Sequence, residues 1–126
     1  MPPVYTTPLS RAVIGAAIAV HRSLGPGLLE SAYDHCLEQE FSGRGLKYAR
    51  ELVVPVVYNG SNVDCGYRVD FVVESELLVE IKAVERILPV HHAQVLTYHK
   101  LLNLKHGLLI NFNVPLLKHG LKSFLR

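Results

Sequence analysis

Tyr67-Arg68-Val69-Asp70-Phe71-Val72-Val73, followed after Glu74-Ser75-Glu76 by Leu77-Leu78-Val79-Glu80-Ile81-Lys82-Ala83, is the stretch on which the fold of this chain turns. Successive side chains of a strand point to opposite faces, so Asp70 shares a face with Arg68 and opposes the apolar Val69, Phe71 and Val73. The same rule puts Glu80 with Lys82 and sends Val79, Ile81 and Ala83 into the core. If Glu74-Ser75-Glu76 is a hairpin loop, Val73 pairs with Leu77, and counting back sets Asp70 opposite Glu80, with Cβ atoms about 4.5 to 5.5 Å apart. Two carboxylates facing each other in a sheet repel, an arrangement that a shared divalent cation makes tolerable. Mg²⁺ or Mn²⁺ is the expected ion, because hard cations take carboxylate oxygens and keep waters that can attack a phosphodiester. Lys82, one pleat further on, is placed to orient such a water or to offset charge building on phosphorus. The plainer alternative is the wet face of an antiparallel hairpin, where such residues are ordinary.

Outward from this hairpin the elements fall into place. Residues 1–6 read as a flexible arm, and residues 7–126 as a single domain. Thr7-Pro8 supplies an N-cap and a first helical residue. Val13, Ala17, Val20 and Leu24 recur at helical spacing until Gly25-Pro26 ends the run. A second helix is expected from about Leu28 to Phe41, with Leu29, Tyr33, Cys36, Leu37 and Phe41 on one face. From Tyr48 the residues become β-branched and aromatic, divided by the hairpin dipeptide Asn59-Gly60. Pro55 lacks an amide donor and marks the first strand as an edge or a bulged one. After Ala83, Pro89 opens a helix through about Leu104, Gly107 closes it, and Leu108–Phe112 forms a further strand. The pattern of Val114–Arg126 fits a short amphipathic helix or an extended tail. The fold class is therefore α/β, more narrowly α+β: a mixed four-stranded sheet flanked by helices.

Composition narrows the function classes. The 126 residues are 49% hydrophobic and 19% charged, enough for one core and without the bias of a disordered chain. A net charge of +2 permits a nucleic-acid partner without demanding one. Cys36 and Cys65 lack disulfide or Cys-x-x-Cys spacing and read as reduced thiols of a cytoplasmic protein. The apolar run Ala12–Val20 is too short to span a bilayer and lacks a signal-peptide cleavage pattern, so no membrane association is expected.

The order helix, strands with Asp70 and Glu80-Ile81-Lys82, helix, strand resembles the PD-(D/E)XK nuclease superfamily. More narrowly, Gly27-Leu28-Leu29-Glu30-Ser31-Ala32-Tyr33 resembles the signature of the GxxExxY family, a branch of that superfamily. His21-Arg22-Ser23-Leu24-Gly25-Pro26, Pro89-Val90-His91-His92-Ala93-Gln94 and Leu109-Ile110-Asn111-Phe112-Asn113-Val114-Pro115 are also similar to it, so the likeness covers roughly residues 10 to 122. It implies a restriction-endonuclease-like core and a metal-dependent nuclease acting on nucleic acid, with DNA the expected substrate. Glu30 then joins Asp70 and Glu80 as a third metal ligand, although a carboxylate in the first turn of a helix is also favoured by the helix dipole alone. Ala19 stands where many relatives carry an acidic residue.

Gln94 and Tyr98, at i and i+4 on the third helix, resemble the Gln-x-x-x-Tyr element that follows E-x-K in some of these nucleases. Gln94 would position Lys82 or hydrogen-bond phosphate, and Tyr98 would contact substrate. Arg68 and Arg86 are further candidate phosphate contacts. Tyr33 reads as a core residue. The seven histidines raise a second chemistry, a site built from His91, His92 and His99. His92 and His99 are two turns apart, which makes one shared ion awkward. Three functions stay open at this point: a nuclease, a non-catalytic nucleic-acid-binding or self-assembling module on the same fold, and a histidine-based metal-binding protein. Homo-oligomerisation would help so small a domain engage a duplex.

Overall fold

A computed structural model describes residues 7–63 and 66–125, so the proposed N-terminal arm and Cys65 lie outside the described residues. Helix α1 spans Pro8–Leu24. Thr7 Oγ1 accepts the Ser10 N–H at 3.0 Å and Ser10 Oγ accepts the Thr7 N–H at 2.7 Å, closing a reciprocal cap. Gly25, at φ 65, ends the helix. Helix α2 spans Glu30–Gly43, two residues later than periodicity suggested. The delay has a cause: the Tyr33 hydroxyl donates to Gly25 O at 2.7 Å and accepts the Leu28 N–H at 3.1 Å, holding the intervening loop out of the helix.

The strands are β1 (Tyr48–Val53), β2 (Val56–Tyr58), β3 (Ser61–Val63), β4 (Arg68–Val73), β5 (Leu77–Lys82), β6 (His106–Asn111) and β7 (Leu121–Leu125), with α3 (Pro89–Leu101) between β5 and β6. Five of them form a mixed sheet in the order β1-β4-β5-β6-β7, in which only β5 and β6 run parallel. The fold class stands as expected, with one strand more than the four anticipated. The fifth is β7, from the segment whose local pattern did not choose a conformation. It follows a 3₁₀ turn over Leu117–Gly120 and is defined by antiparallel pairing with β6. β2 and β3 make a separate hairpin around Asn59 (φ 49) and Gly60 (φ 76). Pro55 lies between β1 and β2, and β1 is an edge strand.

Two details of α3 correct the expected boundaries. The helix stops at Leu101, and Asn103 at φ 54 makes the left-handed exit while the Leu104 N–H reaches back to His99 O at 3.0 Å. Gly107 lies inside β6 and serves packing instead. A Cβ there would meet His99 Nε2 at 2.9 Å, so the small residue lets α3 settle onto the sheet.

Helices α1 and α2 cover one face of the sheet through Val13, Tyr33, Phe71, Val79, Ile81, Leu108 and Ile110. Val95 of α3 packs on the other face with Val72, Leu78, Leu109 and Phe124. The wet hairpin face is thereby ruled out over most of its length, because Val72 and Leu78 are buried there. Each such side chain contributes about 1.5–3 kcal/mol of burial. The polar exception is the end of the hairpin remote from its loop.

Candidate active site

The Glu74-Ser75-Glu76 loop sets the expected register: Val73 faces Leu77, Val72 faces Leu78 and Phe71 faces Val79. One step further, where Asp70 and Glu80 come opposite, side chains replace the regular ladder. The Ile81 N–H donates to Asp70 Oδ2 at 2.7 Å, and the Asp70 N–H donates to Glu80 Oε1 at 2.9 Å. On the other flank of β4, Arg50 faces Phe71 and Leu52 faces Val69, while Glu51 between them turns to φ 53. This left-handed residue interrupts the extended run of β1 and its regular pairing with β4. Val69 packs with Val72 and Leu78 on the α3 side, not opposite Asp70 as strict alternation required. The two carboxylates thus reach into a seam where the strands part.

Burial dominates their electrostatics. Glu80 is only 6% exposed. Burial first, and then the Asp70 charge beside it, pushes its carboxyl up to about 8. Asp70 is pushed up to about 6, again by burial first and then by Glu30 and Asp34, against the pull of the Ile81 amide and Lys82. Glu30, the first residue of α2, stays exposed at the rim. Partial desolvation raises it, Lys82 lowers it, Asp34 raises it and His91 lowers it. Lys82 is half-buried at the end of β5 and is a counter-charge to all three acids.

The other predicted residues divide. Tyr98 is half-buried on α3, and its hydroxyl is raised by burial first, then by Glu80, Tyr67 and Asp70. Gln94 lies on the same helical face, half-buried, with no hydrogen bond among the described residues. Arg68 and Arg86 are exposed, and neither is among the charges that act on Asp70 or Glu80. Two residues escaped sequence reasoning. Asp34 is buried on α2 and pairs with Arg50 of β1, Nε to Oδ1 at 2.8 Å, with Glu38 at 3.5 Å from Nη1. Glu30-x-x-x-Asp34 is the signal that could have revealed the acid, since that spacing stacks both on one helical face.

The neighbouring motifs hold the site from outside. Asn111, beside Lys82 in the β5–β6 ladder, accepts the Val84 N–H at 3.1 Å and donates to Val84 O at 2.9 Å, fixing the exit from Glu80-Ile81-Lys82. His21 Nε2 lies 2.7 Å from Val114 O, and Tyr33 stacks on Phe112 at 4.6 Å between ring centroids.

Among the described residues, no group of three or more His, Cys, Asp or Glu side chains is gathered to hold an ion. Glu30, Asp70 and Glu80 are neighbours in charge, not an assembled cage, and His91, His92 and His99 form no cluster either. The Asp70–Glu80 pair nevertheless fits a hard cation. Both offer oxygen donors, and Oδ1 of Asp70 and Oε2 of Glu80 have no hydrogen bond among the described residues. Two cavities, of about 660 and 450 Å³, lie elsewhere, near the loop end of the hairpin. No helix among the described residues is long and apolar enough to cross a membrane.

Comparison with curated proteins and with solved structures gave no match. A family model described as the PD-(D/E)XK nuclease superfamily matches residues 7–124. Its span takes in the parted strands, the Asp70 and Glu80-Ile81-Lys82 constellation and the helices packed around them, and the chain belongs to the PD-(D/E)XK nuclease superfamily.

Proposed function

We propose that this domain is a divalent-metal-dependent nuclease that hydrolyses phosphodiester bonds in nucleic acid, with DNA as the substrate, and that it falls in the GxxExxY branch. One observation carries the reading: a buried and a half-buried carboxylate, each accepting an amide from the opposite strand, are held together at a cost that a cation would remove. Asp70 and Glu80 would hold Mg²⁺ or Mn²⁺, with the exposed Glu30 side chain rotating in as a third donor. Such an ion supplies Lewis acidity and lowers the pKa of water.

The chain's own residues do the rest. Lys82 lies beside the carboxylates and would offset negative charge as phosphorus is attacked. Glu80 and Asp70 are braced by backbone amides, so their positions do not depend on side-chain freedom. Gln94 and Tyr98 face the same space from α3 and would orient the phosphate and the strand. The signature residues each have work consistent with the narrower assignment: Gly27 sits at φ 100, Glu30 starts α2, and the Tyr33 hydroxyl ties the loop between them.

Calorimetric titration tests the ion. Mn²⁺ should bind the wild type, and Asp70→Asn with Glu80→Gln should abolish that binding. Cleavage of single-stranded, duplex and branched DNA and of RNA, in Mg²⁺, Mn²⁺ or EDTA, tests the reaction. Wild-type protein that binds nucleic acid yet cleaves none of these would establish a non-catalytic module instead.

A further inference from the structure

We infer that Tyr67 and Tyr98 form a stacking subsite for an unpaired nucleobase beside the carboxylates, which makes single-stranded nucleic acid the preferred substrate. The inference deepens the nuclease reading and rests on it for its biological meaning, but its binding test does not. Tyr67 precedes β4 and is 51% exposed, and it belongs to neither buried cluster of the core. Its backbone is nonetheless fixed, because Tyr67 O accepts the N–H of the buried Val54 at 3.0 Å. A large side chain half open to solvent and anchored through its backbone leaves surface for a ligand to cover. The ring of Tyr98, a residue of α3, lies 6.4 Å away at a tilt of 46°, half-buried against the core cluster that includes Val95, Val72 and Leu78.

The pair sits at the entry to β4, three residues before Asp70, and the charges of Glu80 and Asp70 act on the Tyr98 hydroxyl. Arg68, next in the chain, is exposed and makes no ion pair among the described residues, leaving a cation free for the adjoining phosphate. An exposed ring, a neighbouring cation and a largely desolvated acid pair suit a strand whose base stacks while its phosphate advances. Bases within a duplex already stack on one another, so only an unpaired base can offer its face. Stacking reads that face and not the sugar, so the subsite itself should bind deoxyribose and ribose strands alike, whichever of them is cleaved.

The test is binding in EDTA, where no cleavage occurs, to oligonucleotides carrying 2-aminopurine in single-stranded or duplex form. Wild-type protein should quench the fluorescence of the single strands, DNA and RNA alike, and leave the duplex bright. Tyr67→Ala should remove the quench and weaken single-strand binding by about tenfold, the scale of one lost stacked base, whereas Tyr67→Phe should preserve both. Equal binding and quenching by wild type and Tyr67→Ala, or failure of wild type to quench any single strand, would overturn the subsite. Cleavage in Mg²⁺ or Mn²⁺ is scored separately. A quench without cleavage refutes the nuclease reading and keeps the subsite, while cleavage without a quench does the reverse.

Discussion

The two ends of the β4–β5 hairpin are built from the same pair of strands and obey different rules. Near the loop, Phe71, Val72 and Val73 face Val79, Leu78 and Leu77 in an unbroken ladder, and every one of these side chains is buried in apolar surroundings. At the far end, Asp70 and Glu80 accept amides from each other's strands, and β1 is interrupted beside them at Glu51. The loop end gains from burial, and the open end loses by it, since burial is the largest cause raising both carboxyls. Stability and chemistry are thus divided along a single hairpin. A well-formed half holds the register that brings two mutually repelling groups together.

The largest effect should come from the loop end. Phe71→Ala removes a fully buried ring and should cost about 3–5 kcal/mol in denaturant unfolding. A loss under about 1 kcal/mol would break the division, by showing that this half is not the support. Next comes Lys82→Ala, which should leave the unfolding curve nearly unchanged yet slow single-turnover cleavage by roughly 10²-fold or more. If it instead unfolded the protein, Lys82 would belong to the framework.

Glu80→Gln sharpens the contrast through pH. A carboxyl whose folded pKa lies above its ordinary value of 4.5 binds more protons in the native state. The stability that Glu80 contributes to the metal-free wild type should therefore be fully present near or below pH 4.5 and lost as pH rises to about 8. Glu80→Gln should flatten the slope and stabilise the metal-free protein at pH 8 by about 1–3 kcal/mol. Thermal unfolding across this range would show a rising slope if the sign were wrong. The smallest effect is expected from Arg50→Gln, about 1 kcal/mol, because the Asp34–Arg50 pair is partly open to water. A double-mutant cycle with Asp34→Asn should recover most of that loss as coupling energy, and additive losses would show that the pair is not a tie between α2 and β1.

Much of the framework was legible because its signals are local. Thr7-Pro8, Gly25-Pro26 and Asn59-Gly60 act within a few residues, and Glu74-Ser75-Glu76 fixed the register that places Asp70 and Glu80 together. What escaped was set by distant partners. β7 exists because β6 offers an edge, and nothing in Leu121–Leu125 demands a strand by itself. The Asp34–Arg50 pair joins residues on different elements. Val69 leaves the expected face next to Glu51, a left-handed residue on another strand. Alternation along one strand cannot report an irregularity in its neighbour.

The position of β7 has a consequence for solubility. All six residues of β6 are buried, and among the described residues β7 alone covers the side of β6 away from β5. Strip β7 away and His106–Asn111 becomes an apolar edge with unpaired amides and carbonyls, the template on which chains self-associate. β7 answers with the exposed charge of Lys122, which discourages a further strand from adding on. A truncation after Gly120 would therefore spare every carboxylate of the site and still yield a protein that precipitates.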